Sequence, residues 1–183
     1  MPTRTYALRP ATESDLTAIT DIYNAAVIAG GSSADLTPRT LEQRRAWVDA
    51  HRPPYGVFVL TAGVGDGAGP ADRDGAPGTN EVVGFGALSV FYDRAGYDGV
   101  TDLAYYVAPA WRGRGAGTAL LSGLLDECRR RHMRKACAII FADNAASIAL
   151  VRRFGFTRFG LMPDAATDST GTMRDMSYWQ LDL

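Results

Sequence analysis

The residues with the clearest chemical use lie between Arg112 and Thr118, where Gly113, Gly115 and Gly117 alternate with Arg114 and Ala116. The stretch before them, Val100 to Val107, is β-branched and aromatic, which suits a buried strand ended by Pro109. A run of helix formers begins after them at Ala119 and Leu120. A glycine-lined turn that opens a helix leaves backbone N–H groups unpaired. The helix dipole adds positive potential there, so such a turn takes an anion, most often a phosphate. Arg112 and Arg114 could add charge, with a plain solvated turn as the alternative for both and the stronger one for Arg114. No Lys-Ser/Thr pair follows, so this is not a P-loop. The glycines are two apart rather than G-x-G-x-x-G, and Arg134 and Lys135 stand near where a dinucleotide-binding domain wants an acid. The bland alternative is an ordinary strand-to-helix turn.

The surrounding elements must hold that turn in place. Leu120, Leu121, Leu124, Leu125 and Cys128 make one apolar face of the helix after the glycines. Lys135 to Phe141 is a continuous apolar run, expected as a buried strand beside Val100–Val107, so that strand, helix and strand form a βαβ unit. Asn144 is placed to cap a further helix through Ile148, Leu150 and Val151, which Gly155 ends. Upstream, Arg4–Arg9 alternates as a first strand, and Thr12-x-x-Asp15 reads as a capping box before Leu16, Ile19, Ile22, Tyr23 and Ala26 at helical spacing. Gly30-Gly31 ends that helix. Thr37-Pro38 reads as the N-cap and first-turn pair of a second helix through Trp47 and Val48. Tyr55–Thr61 and Glu81–Val90 are the next strands, and Thr157–Leu161 and Met173–Leu181 are the last. Residues 62–80, rich in Gly, Ala, Pro and Asp, are expected as an exposed, flexible loop.

With 183 residues, one domain over 1–183 is the expectation. The 19 basic and 20 acidic side chains nearly cancel, which gives no attraction to nucleic acid or an acidic membrane. The Arg129–Arg131, Arg134 and Lys135 cluster falls at a helix C-terminus, where the dipole favours cations. Cys128 and Cys137 read as core residues. His51 and His132 lack ligand spacing, so no metal is expected. No signal or membrane segment is seen, and a cytoplasmic location is the default.

The turn Arg112-x-x-Gly115-x-Gly117 after a Val-x-Pro strand end resembles the pyrophosphate-binding turn of the GCN5-related N-acetyltransferases (GNAT), which bind acetyl-CoA. Asn144-x-x-Ser147-x-x-Leu150-x-x-x-x-Gly155-Phe156 is similar to the family's second signature and lies at the right distance. Leu8-Arg9-Pro10-Ala11-Thr12, Asp15, Ile19, Ile22-Tyr23-Asn24 and Val27 resemble the phosphinothricin acetyltransferase branch, as does Phe91-x-x-Arg94-x-x-Tyr97 leading to Asp102-x-x-x-Tyr106-Val107. The resemblance implies an α/β (α+β) fold: a mixed, mainly antiparallel seven-stranded sheet flanked by helices, with strands four and five a splayed parallel pair.

The resemblance also implies a function: acetyl transfer from acetyl-CoA to the amino group of a small amino-acid-like molecule, by direct attack of the amine on the thioester. Amides from Arg112, Gly113, Arg114, Gly115, Ala116, Gly117 and Thr118 would hold the pyrophosphate. Backbone near Tyr106, Val107 and Ala108, with Asn144 and Ser147, would hold the pantetheine arm; helix capping is the alternative for the last two. Asp102 occupies the place of the family's general-base glutamate, one methylene shorter, and a structural strand-end carboxylate is its alternative. Val151 stands where the family has a Tyr or His acid; a thiolate of pKa near 8.5 can leave with little help, and Tyr105, Tyr106 and Tyr178 are substitute donors whose alternative is packing. Arg94 and Tyr97 would bind a substrate carboxylate or else merely order their loop. The linker 32–36 lacks the aromatic residue that packs phosphinothricin, which argues for a broader small-amine substrate. Two rivals stay open, a protein N-acetyltransferase and a non-catalytic acetyl-CoA-binding domain, and the branch implies a homodimer as a candidate assembly.

Overall fold

The computed structural model describes residues 4–64 and 81–183. In chain order the elements are β1 (Arg4–Pro10), α1 (Leu16–Ala29), α2 (Leu41–Ala50), β2 (Gly56–Val64), β3 (Glu81–Val90), β4 (Val100–Val107), α3 (Ala116–Arg130), β5 (Lys135–Phe141), α4 (Ala145–Arg153), β6 (Thr157–Thr167) and β7 (Met173–Asp182). The strands form one seven-stranded sheet in the order β1-β2-β3-β4-β5-β7-β6. Every neighbouring pair is antiparallel except β4 and β5.

The two faces carry different helices. Leu120, Leu121, Leu124, Leu125 and Cys128 of α3 are buried against Phe58, Leu60, Val83 and Leu103, and Val151 of α4 joins the same core. Ile19 and Ile22 of α1, with Trp47 and Val48 of α2, pack on Val57, Val59, Phe85 and Ala87 of the opposite face. The 3.6-residue stripe of α3 thus meets the two-residue alternation of the strands. Gly86 allows the close approach: a Cβ there would sit 2.5 Å from Leu124 and 2.8 Å from the Ala104 carbonyl.

Several boundaries differ from the sequence reading for local reasons. Helix α2 starts at Leu41, because Thr40 and Gln43 form a complete capping box: the Gln43 amide donates to the Thr40 hydroxyl at 3.2 Å, and the Thr40 amide to Gln43 Oε1 at 2.9 Å. That pair satisfies two helix-end donors, and Thr37-Pro38 stays outside the helix. Helix α3 begins at Ala116, three residues before Ala119. Strand β2 runs to Val64, paired with β1 as far as Arg4, so residues 62–64 of the expected loop are strand, and 65–80 lie outside the described residues. Strand β6 continues to Thr167. Most of the basic cluster is engaged in place: Arg129 pairs with Asp126, Arg130 and Arg131 share Glu127, Lys135 pairs with Asp182, and Arg134 donates to the Asp98 and Gly96 carbonyls. Cys128 and Cys137 are free and buried.

Candidate active site

The parallel pair is short. Strands β4 and β5 are in register only at Val100↔Lys135, Thr101↔Ala136 and Asp102↔Cys137. The Gly99 carbonyl pins this end by accepting the amides of Arg134 and Lys135 at 2.8 and 3.2 Å. Beyond Asp102 the strands part, β4 staying with β3 to Val107 and β5 with β7 to Phe141. The Ala108 amide donates to the Val83 carbonyl at 2.9 Å. Amide directions alternate along a strand, so the Val107 and Tyr105 amides point away from β3 and into the opening. The Ala108 amide is thus engaged by β3.

The glycine turn borders this opening. Gly113 and Gly115 have φ of 69° and 86°, a left-handed backbone that other residues adopt only with strain. The Tyr6 hydroxyl donates to the Arg114 carbonyl at 2.8 Å and holds the back of the turn against β1. Among the described residues, the amides of Gly113 to Thr118 have no protein acceptor, the first closing bond being Ala119 to the Gly115 carbonyl at 3.0 Å. A cavity of about 380 Å³ lies before them, lined by Arg112, Gly113, Gly115, Gly117, Thr118, Tyr105, Tyr106, Val107 and Ser147. Arg114 does not line it; its guanidinium lies 5.9 Å from the centre of the Trp111 ring. The Ala116 methyl is buried in the core, which leaves only its amide to serve the turn.

A second cavity of about 250 Å³ fills the splay itself, with Asp102, Tyr105, Tyr106, Asn144, Ser147 and Ser33 on its walls. Asn144 is already engaged: Oδ1 accepts the Ser147 amide at 3.1 Å as the cap of α4, and Nδ2 donates to the Gly31 carbonyl at 3.2 Å. It ties α4 to the linker after α1 while lining both this cavity and the one before the glycine turn. The linker is also held by buried Asp168, which accepts from the Gly31 amide, the Thr170 amide and hydroxyl, the Thr172 amide and Arg174 Nε. These donors hold the Asp168 carboxyl well below the usual range.

A third cavity of about 450 Å³ lies between β4 and helices α1 and α2, and Asp102 and Tyr106 line it as well. Its aromatic walls are Tyr23, Trp47, Phe85 and Tyr106, from four separate elements, not from the linker. Asp102 Oδ1 is buried without a partner. Loss of water pushes its carboxyl up to about 6, with the Leu103 amide pulling the other way. The Tyr105 hydroxyl, on the opposite face of β4, is also buried without a partner, and burial pushes it up to about 12. Val151 is fully buried in the core and has no proton to give. Arg94 and Tyr97 line none of the three cavities; Tyr97 is 43 % exposed and packs on Phe91 and Tyr92 in the turn before β4. Two residues that the sequence reading did not place here are Arg44, in the wall of the third cavity, and His51, whose Nε2 is 2.9 Å from the hydroxyl of the lining residue Ser89.

A sheet that splays after Asp102, with unpaired amides at a helix start and a half-buried carboxylate lining two cavities, is an arrangement suited to acyl transfer. The chain belongs to the acetyltransferase (GNAT) family, whose model matches residues 19–156. It is an acetyl-CoA-dependent N-acetyltransferase of the phosphinothricin acetyltransferase-like branch. An L-methionine sulfoximine/L-methionine sulfone acetyltransferase of Pseudomonas paraeruginosa is 35% identical over 179 residues, covering 97% of this chain and 94% of that protein. A solved GNAT superfamily phosphinothricin acetyltransferase from Sinorhizobium meliloti, in complex with acetyl-CoA, is 30% identical with a TM-score of 0.79, covering 98% of this chain and 89% of that one. The structure of a ribosomal-protein-alanine N-acetyltransferase from Brucella melitensis is 34% identical with a TM-score of 0.81, covering 97% and 99%. The cleft fits acetyl-CoA: the unpaired amides of Gly113–Thr118 suit a diphosphate, and the outward amides of β4 suit an extended amide-bearing arm.

Proposed function

We propose that this enzyme acetylates the amino group of a small amino-acid-like molecule bound in the cavity between β4 and helices α1 and α2. The observation that carries the reading is Asp102, a half-buried carboxylate whose Oδ1 is buried without a partner and which lines both the splay and that cavity. Acetyl-CoA supplies an activated acetyl thioester. An amine must lose a proton to attack it, and a free α-amino group has a pKa near 8. Asp102, raised to about 6, is ionised at neutral pH yet basic enough to accept that proton, directly or through one water. The Val107 amide, facing the opening, is placed to donate to the carbonyl oxygen as charge develops on it. Tyr105, with its free hydroxyl on the cleft, is the candidate donor to the departing thiolate that Val151 cannot be. Thr118, Gly117, Gly115 and Gly113 hold the diphosphate, with Arg112 beside them.

The sulfoximine, sulfone and phosphinothricin named for two relatives support an acceptor of amino-acid size. The Brucella neighbour favours a second reading, acetylation of a protein N-terminus. A cavity of about 450 Å³ walled by four aromatic side chains suits a small molecule better than an extended chain. Release of CoA with a panel of free amino acids and with N-terminal peptides decides between the two. Turnover confined to peptides overturns the small-molecule reading, and no turnover with either class overturns both.

A further inference from the structure

We propose that Arg44 anchors the carboxylate of the acceptor, so that the enzyme selects amino acids with a free carboxylate over the corresponding uncharged amines. Arg44 is the only buried residue of α2, 4 % exposed on a helix that is otherwise exposed or half-buried. That position would ordinarily hold an apolar side chain. Its guanidinium carbon lies 3.9 Å from the centre of the Tyr23 ring and 4.7 Å from that of Trp47. Among the described residues it forms no ion pair, and its Nε is buried without a partner. Asp35, the carboxylate whose field it feels, is already occupied by Arg39 Nε and Nη2 at 2.7 and 2.5 Å and by the Tyr23 hydroxyl at 2.6 Å. A desolvated cation without a counter-ion is costly, and an arriving anion removes that cost.

The same cavity holds Asp102. A cation and a proton-accepting carboxylate on the walls of one cavity complement the two ends of an amino acid, carboxylate to Arg44 and amine to Asp102. A planar guanidinium held over aromatic rings keeps its N–H edge for a two-point carboxylate contact. Arg39 does not compete, because Asp35 neutralises it. The proposal rests on the reading of Asp102 as base and of this cavity as the acceptor site.

The test compares L-methionine sulfone with its carboxamide, on the wild type, Arg44→Gln and Arg44→Lys. The wild type should show a KM about 10- to 100-fold lower for the carboxylate form, the usual range for a charged hydrogen-bonded contact. Arg44→Gln should erase that difference by raising KM for the carboxylate form alone, with kcat on the carboxamide held within about threefold and acetyl-CoA affinity unchanged. Arg44→Lys should restore part of the preference. Equal losses on both compounds, or a wild type indifferent to the charge, overturn the role of Arg44 while leaving the acceptor reading intact. Turnover of neither compound by the wild type sinks the acceptor reading and this proposal together. If Arg44→Gln does not fold, the wild-type pair and Arg44→Lys still decide.

Discussion

The two halves of the site are built from different material. The half facing α3 is made of backbone: Gly113–Thr118 amides and the outward amides of β4. The half facing α1 and α2 is made of side chains, Tyr23, Arg44, Trp47, Phe85, Asp102 and Tyr106, drawn from four elements. A backbone site binds a group shared by every substrate of the family and needs only glycines and a helix start. A side-chain site binds what varies, and each member is replaceable without disturbing the chain path. On the proposed function, the cofactor half would carry family identity and the acceptor half specificity.

Changes on each side should separate in their effects. The largest belongs to the residue shared by both halves. Asp102→Asn should lower kcat by about 10²- to 10⁴-fold with acetyl-CoA affinity within twofold, measured by CoA release and calorimetry. Unchanged turnover removes Asp102 as base, and lost affinity makes it structural. In the wild type, kcat/KM should fall as pH drops through about 6, a limb the variant lacks. Folding has the opposite sign. The carboxyl keeps its proton to about 6 when folded and to about 3.8 when unfolded, so stability is lost as pH rises between those values. Asp102→Asn should therefore be more stable at pH 7, by on the order of 3 kcal/mol, seen as a raised Tm that shrinks below pH 4.

Gly115→Ala forces a side chain into a left-handed conformation that costs about 1–2 kcal/mol. It should weaken acetyl-CoA binding by about tenfold while the acceptor KM stays level. An equal shift in both constants would erase the division between the halves. Tyr105→Phe should slow kcat by about tenfold at constant KM for both substrates, read best with a poor thiol leaving group; full activity returns the proton to solvent. The smallest effect is expected from Arg94→Ala, because Arg94 lies outside the cavities: KM for carboxylated acceptors should move less than about twofold. A large rise would restore Arg94 as the anchor at the expense of Arg44.

Legibility in the sequence followed the same division. The α3 stripe from Leu120 to Cys128, the bounds of β5 and the Asn144 cap were readable because periodicity and capping are local. Arg94 and Tyr97 were attractive on residue type; in the structure they lie in the turn before β4 and line none of the three cavities. Arg44 left no local trace: on a polar helix with Glu42, Gln43 and Arg45 beside it, a buried arginine looks like a solvated one. The engagement of Asn144 Nδ2 and of the Ala108 amide was invisible in the sequence for a related reason. Their partners, Gly31 and Val83, are 113 and 25 residues distant along the chain.

The chain alone determined where the glycine turn lies, which strands flank it and which helix stripe backs it, because each depends on neighbours within a few residues. Only the folded sheet decided that the expected splay of β4 and β5 begins right after Asp102, that Asp102 loses much of its water there, and that α2 delivers a guanidinium to the same cavity. Burial and counter-ion choice depend on everything that converges on a point, and no short stretch of chain contains that information.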